Sequence, residues 1–405
     1  MHTMDIVICS PLRTPVGRFG GVFRSVPVED LATAVVNAIV ERSGLRPADV
    51  DDLILGQGGP NGSAPALGRV VALNSLLGAT VPGMQLDRRC GSGLQAIVTA
   101  AAHITAGAAD LIIAGGAESM SRTEFTVSSD IRWGVRAGDL ALRDRLTEAR
   151  ETAGGCNHPI PGGMIETAEN LQKQFGISRE RQDRLAAASQ QRAVAATKSG
   201  LFDAEIVPVT VPPARRGAEA TVVTVDEGPR EGTSVEKLSS LRPVLGGTVT
   251  AGNASTQNDG AAAVIVTTRQ RAVELGLHPV ATLRGWAVAG VDPETMGIGP
   301  VPATRKVLGR LGLSLGDIDA FELNEAFAAQ TLAVLEEWGI DAEDPRLNPQ
   351  GSGISLGHPV GATGARMLVT LTHRMQRENA RLGLATMCIG GGQGLAAVVE
   401  GEPAE

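Results

Sequence analysis

Gly44-Leu-Arg-Pro-Ala-Asp-Val-Asp51 and Gly312-Leu-Ser-Leu-Gly-Asp-Ile-Asp319 align without a gap at an offset of 268 residues. Each runs into a short apolar strand, Asp52-Leu-Ile-Leu in the first and Ala320-Phe-Glu-Leu in the second. A repeated turn-and-strand unit implies an internal duplication, two βαβ-type halves related by a pseudo-twofold. The same offset carries Cys90 onto His358, and each begins a Gly-rich turn into a long helix. The expectation is that these two side chains sit at equivalent helix N-termini and face one another.

Outward from the repeat, strands and helices alternate. Asp5–Cys9, Asp52–Gly56 and Asp110–Gly115 read as apolar strands, and Val28–Ser43 and Gly91–Ala106 as helices. That order predicts an α/β fold with helices on both faces of a mainly parallel sheet. From about Ser121 to Val249 the pattern changes to Pro and Gly clusters and charged helices such as Ser178 to Lys198. We read residues 121–249 as an inserted loop domain. Residues 1–120 plus 250–270 then form one half, and 271–405 the other. Strand-like Ala261–Thr267 returns the chain to the first half.

The composition narrows the class. A hydrophobic share of 43% over 405 residues suffices for a large core. No apolar run approaches the roughly 18 residues of a membrane span. The first residues lack a basic stretch and read as a strand rather than a leader. A net charge of −8 argues against a nucleic-acid surface. Four cysteines are no disulfide framework and point to a reduced, cytoplasmic protein.

Four segments carry chemistry. In Arg88-Arg-Cys-Gly-Ser-Gly-Leu-Gln-Ala96 a cysteine precedes a helix, where free N–H groups favour thiolate. The overlapping G-x-G-x-x-A fails as a dinucleotide motif, because Asp110 precedes its strand rather than ending it. Gly357-His-Pro-Val-Gly361 offers an imidazole as general base. Ala385-Thr-Met-Cys-Ile-Gly-Gly-Gly392 delivers Cys388 into a turn whose N–H groups suit an oxyanion. Glu322-Leu-Asn-Glu-Ala-Phe327 ends a strand in polar residues just before a helix. No Cys/His spacing suits a metal.

Taken together with Gly115-Gly-Ala-Glu-Ser-Met-Ser121 and Thr250-Ala-Gly-Asn-Ala-Ser255, these motifs resemble the thiolase family over nearly the whole chain. The resemblance implies a five-layered α-β-α-β-α fold of two duplicated halves with an inserted loop domain. It implies reversible Claisen condensation of acyl-CoA with acetyl-CoA, or thiolysis of 3-oxoacyl-CoA, through an acyl-cysteine. By resemblance Cys90 is the nucleophile, His358 takes its proton, and Cys388 moves the α-carbon proton. Asn324 with His358 forms one oxyanion hole, and the N–H groups of Cys90 and Gly390 form the other. Ser255 contacts the pantetheine arm, Arg230 packs on the adenine, and Met164 and Met296 line the acyl pocket. Coenzyme A is a substrate or product and no cofactor is implied. The partners are acyl-CoA and CoA, without nucleic acid or membrane, in a homodimer or homotetramer.

The chain departs from the family pattern at Asp87 (commonly Asn), at Gly163 (His in some short-chain members) and at Gly351-Ser-Gly353 (usually Gly-Gly-Ala). None of these removes a catalytic group. They leave short-chain, degradative and dicarboxylic substrates open. Two alternatives are a ketosynthase, which typically carries two histidines, and a non-catalytic acyl-CoA or lipid-binding relative, which the intact polar set disfavours.

Overall fold

Asp51 and Asp319, the last residues of the repeated turn, make the same contacts in the two halves. Asp51 Oδ2 accepts from the N–H groups of Asp110 and Leu111 at 2.7 and 3.0 Å. Asp319 Oδ2 accepts from those of Arg381 and Leu382 at 3.1 and 2.9 Å. Each carboxylate thereby pins a turn to the start of the next strand. The chain is described by a computed structural model covering residues 5–403 except 214, 216 and 218.

Nine strands in one continuous order, with a tenth short one off that path, build the sheet. They are β1 (Ile6–Arg13), β2 (Asp52–Gly56), β3 (Gly83–Leu86), β4 (Leu111–Ser119), β5 (Asn258–Thr268), β6 (Pro279–Gly290), β7 (Ala320–Leu323), β8 (Leu382–Ile389) and β9 (Gln393–Gly401). Their order is β7-β8-β9-β6-β1-β5-β4-β2-β3, with the short strand Gly17–Arg18 alongside β5. The halves join where β1 pairs with β6, Val7 opposite Thr282 and Ile8 opposite Ala281. The sheet is not mainly parallel as the sequence suggested. Only the β7/β8, β2/β3 and β2/β4 pairs are parallel. A tight turn returns β8 as β9, and the long excursion between β4 and β5 also returns antiparallel.

Alternation along the strands sorts the core into layers. Val7 and Cys9 pack with helices α1 (Val28–Ser43) and α2 (Leu67–Asn74). Ile6 and Ile8 point the other way, into a cluster shared with α3 (Ser92–Thr105) and α9 (Thr363–Glu378). Strand β8 alternates likewise. Ala385 and Met387 face that cluster, whereas Leu384 packs with α7 (Pro300–Leu311) and α8 (Ala328–Trp338). The result is α1/α2, sheet, α3/α9, sheet, α7/α8, the five layers expected.

The central pair α3/α9 sets the true register of the duplication. A Cβ on Gly93 would stand 2.8 Å from Gly361 O, and one on Gly364 would stand 2.7 Å from Leu94 N. Glycine is required at both crossings because backbone meets backbone there. Gly93 and Gly364, like Leu111 and Leu382, are offset by 271 rather than 268 residues. Three extra residues therefore precede the second helix, and Cys90 corresponds to Gly361. At that offset His358 corresponds to Asp87, so the two side chains are not symmetry equivalents. This corrects the expectation drawn from the ungapped repeat.

Between β4 and β5 the chain forms α4 (Arg145–Glu151), α5 (Gly163–Phe175) and α6 (Arg179–Lys198). Ser178 caps α6, its hydroxyl accepting from the Arg181 N–H at 3.2 Å. Arg13, fully buried on β1, ties this segment down. It donates to Glu205 at 2.6 Å and to both oxygens of Asp226 at 2.7 and 2.9 Å.

Candidate active site

The four polar segments converge at one end of the sheet. Cys90 lies in a tight turn, Arg89–Gly91, ahead of α3. His358 lies in the turn leading to α9, Asn324 directly follows β7, and Cys388 is the penultimate residue of β8. Backbone bonds lock these pieces together. Asn324 N–H donates to Thr386 O at 3.0 Å, and Ser255 N–H donates to Ala326 O at 2.9 Å. His358 N–H donates to Asn258 Oδ1 at 2.9 Å.

Cys90, His358, Cys388 and Gly390 line one cavity of about 310 Å³, together with Ser255, Met164 and Met296. Met296 packs with Val249, Phe327 and Cys388 in a small buried cluster that Met164 flanks. Asn324 lies beneath this surface, fully buried. Neither its Oδ1 nor its Nδ2 bonds to a protein atom among the described residues. Arg230 is exposed and does not line the cavity.

The electrostatics differ from the sequence expectation at Cys90. Burial pushes its thiol up, opposed by the Gly390 N–H and by Arg89, with Asp87 adding to the rise. The physical reason is position. Gly91 caps α3, so Cys90 stands one residue outside the helix, and the N–H groups of Gly390 and of Cys90 itself do not outweigh its burial. Burial also pushes the Cys388 thiol up, and the neighbouring Cys90 adds to it. Burial holds His358 down at about 4, helped by Arg366, so its imidazole is neutral near pH 7.

The tautomer of His358 follows from its partner. Thr363 Oγ1 lies 2.6 Å from Nδ1 and donates its own hydrogen to Pro359 O at 2.8 Å. The hydroxyl must accept from Nδ1–H, which leaves Nε2 with a free lone pair. Glu118 is the second support. It is buried and accepts from the N–H groups of Gly58, Gly59 and Gly361 at 2.8, 3.2 and 2.9 Å. Burial raises its carboxyl to about 7 against those three bonds.

A thiol, a neutral imidazole and a Gly-rich turn around one cleft are the groups that covalent acyl transfer uses. The match to known proteins agrees. Residues 6–270 match the family model for the thiolase N-terminal domain, and residues 277–401 that for the thiolase C-terminal domain. The chain belongs to the thiolase family. It is 45% identical over 398 residues to an acetyl-CoA acetyltransferase of Cupriavidus necator, covering 98% of this chain and 99% of that one. It is 46% identical over 396 residues to a probable acetyl-CoA acyltransferase of Staphylococcus aureus, covering 97% and 98%. The crystal structure of the Bacillus anthracis acetyl-CoA acetyltransferase superposes with a TM-score of 0.94 at 42% identity, covering 99% of each chain.

Within this thiolase, sequence reasoning missed Thr363, Glu118, Arg89 and Arg150 at the site. Arg89 had a local signal, standing next to Cys90. Its φ of 47° is unusual for a side-chain-bearing residue and costs about 1 kcal/mol. Gly163 has a φ of 60°, and a Cβ there would stand 3.3 Å from that of Arg150. The absence of His at this position therefore has a structural reason. No helix among the described residues is long and apolar enough to cross a membrane.

Proposed function

We propose that the chain is an acetyl-CoA C-acyltransferase working through an acyl-Cys90 thioester. The observation that carries the reading is the shared cavity of Cys90, His358, Cys388 and Gly390 in a chain of this family. In thiolysis, His358 Nε2 takes the Cys90 proton and the sulfur attacks the 3-oxo carbon. The carbon–carbon bond then breaks, and the departing acetyl-CoA carbanion takes a proton from Cys388. Free CoA, its thiol proton passing to the Cys388 thiolate, finally attacks acyl-Cys90; the shortened acyl-CoA leaves and the Cys90 sulfur regains its proton from His358. Condensation is the reverse.

The raised Cys388 thiol suits this, because a group kept protonated by burial is ready to give its proton. The N–H groups of Cys90 and Gly390 serve the thioester oxyanion. Asn324, a buried amide with spare donor and acceptor, holds a water that with His358 serves the second oxyanion. Ser255 contacts the pantetheine arm and Arg230 the adenine. Met164 and Met296 bound the acyl chain, and no cofactor is required. The enzyme is cytoplasmic and a homo-oligomer. Phe125, Trp133 and Leu142, exposed at 65, 85 and 71%, are apolar side chains that a second copy would cover.

The test is thiolysis of a 3-oxoacyl-CoA panel with free CoA, following loss of the enolate absorbance. Turnover dependent on CoA supports the reading. Absence of turnover across the panel, with acyl-CoA still bound, would favour a non-catalytic relative.

A further inference from the structure

The Asn324 amide is aimed without a bond of its own. It is fully buried, and neither Oδ1 nor Nδ2 bonds to a protein atom among the described residues. A Cβ on Gly353 would stand 2.6 Å from Oδ1, so on that side the amide rests against bare backbone. Where it points therefore depends on what holds the chain at residue 324 and at the residues on either side. One hold is the Asn324 N–H, which donates to Thr386 O at 3.0 Å.

The other holds come largely from one side chain. Leu347 runs beside Phe321 as a parallel bridge, and Asn348 carries that pairing on with its amide. Asn348 Oδ1 accepts from the Leu323 N–H at 2.9 Å, and Nδ2 donates to Leu323 O at 2.8 Å. The second hydrogen on Nδ2 goes to Glu325 Oε1 at 3.1 Å, and the Ser189 hydroxyl donates to Glu325 Oε2 at 2.5 Å. Asn348 thus grips the residue before Asn324 and the residue after it. It is itself fully buried, with a φ of 42°, a left-handed conformation that Asn adopts more readily than most residues. Its own backbone is fixed as well. Its N–H donates to Phe321 O at 3.1 Å, and its carbonyl accepts from the Gly351 N–H at 3.0 Å. None of its side-chain bonds reaches Cys90 or Gly390.

Resting on the role given to Asn324 above, we infer that Asn348 is a positioning residue for the second oxyanion, holding the Asn324 amide where its water meets the oxyanion of the acetyl-CoA carbanion. The thioester oxyanion, served by the Cys90 and Gly390 N–H groups, does not depend on it. The two half-reactions should therefore part when Asn348 is changed.

The test uses the full-length enzyme with acetyl-CoA alone and takes two readings from each preparation. One is radiolabel on Cys90. The other is exchange of the acetyl-CoA methyl protons with D₂O, expressed per acetylated Cys90, so a loss of folded protein cancels. Asn348→Asp keeps the size and suits the same backbone, yet sets acceptors against Leu323 O and Glu325. Exchange should fall by about tenfold or more, the effect of a displaced catalytic group, while the rate of acetylation stays within about twofold of wild type. Glu325→Met releases one grip and leaves the Leu323 pair, so exchange should fall by about threefold, the weight of one hydrogen bond. That variant reads the same strut if Asn348→Asp yields no folded protein.

Acetylation and exchange falling together would overturn the inference, because Asn348 would then act on the whole site or through His358. Unchanged exchange would overturn it too. A wild type that takes no label on Cys90 would instead count against the acyl-cysteine reading itself.

Discussion

The Thr363 hydroxyl decides which nitrogen of His358 is free. Its oxygen lies 2.6 Å from Nδ1, and its hydrogen is committed to Pro359 O. Thr363→Val removes the acceptor while keeping the shape. The Nδ1–H then lacks a partner in a buried site, an imbalance of roughly 1–3 kcal/mol. We expect kcat for acyl transfer to fall about tenfold or more, with little change in KM. Thr363→Ser, which retains the hydroxyl, should recover most of the activity. A Val variant as active as wild type would show that the hydroxyl does not set the tautomer.

Acid should spare this histidine unusually well. Burial lowers it from the ordinary 6.5 to about 4, so the imidazole stays neutral and basic down to that value. The acid limb of kcat/KM for Cys90 acylation should fall near pH 4 rather than near 6.5. Stability follows the same sign. The unfolded chain takes up this proton near 6.5 and the folded chain only near 4, so acidification between those values favours unfolding. A half-activity point at pH 6 or above would contradict the burial of His358.

Arg13 is the strut between β1 and the inserted segment, with Glu205 and Asp226 as buried partners. Arg13→Met leaves two carboxylates buried without their cation. The loss should be about 3–5 kcal/mol, the usual range for breaking a buried pair from one side. Denaturant unfolding followed by circular dichroism would measure it. A change below about 1 kcal/mol would mean that water or a neighbouring cation takes the place of Arg13.

What was legible in the sequence is what local chemistry repeats. The Gly44–Asp51 turn and its copy could be read because the same aspartate pins the same strand start in both halves. The helix Val28–Ser43 was legible from apolar spacing, and it forms over those residues. Cys90, His358 and Cys388 could be placed together only through the resemblance to the thiolase family, since each segment alone leaves its residue's role open.

The three-residue slip before α9 was not legible, because an insertion in a connection leaves no local mark; the Gly93–Gly364 crossing and the matching strand starts at Leu111 and Leu382 expose it. The sheet's antiparallel seams also escaped. Strand direction depends on how long connections return, and residue patterns do not record that. Arg150 was invisible for a related reason. It lies sixty residues beyond Cys90, and α4 is brought there by the Arg89 bond to Ala149.

The central claim is that Cys90, not Cys388, carries the acyl group. Steady-state rates cannot separate them, since Cys90→Ser and Cys388→Ser should both nearly abolish turnover. Incubation with radiolabelled acetyl-CoA, followed by digestion and peptide mapping, can. We predict label on the Cys90 peptide of the wild type, little or none in Cys90→Ser, and slower but real labelling in Cys388→Ser. Cys388→Ser should also lose exchange of the acetyl-CoA methyl protons with D₂O. Label on the Cys388 peptide with Cys90 unmodified would contradict the account.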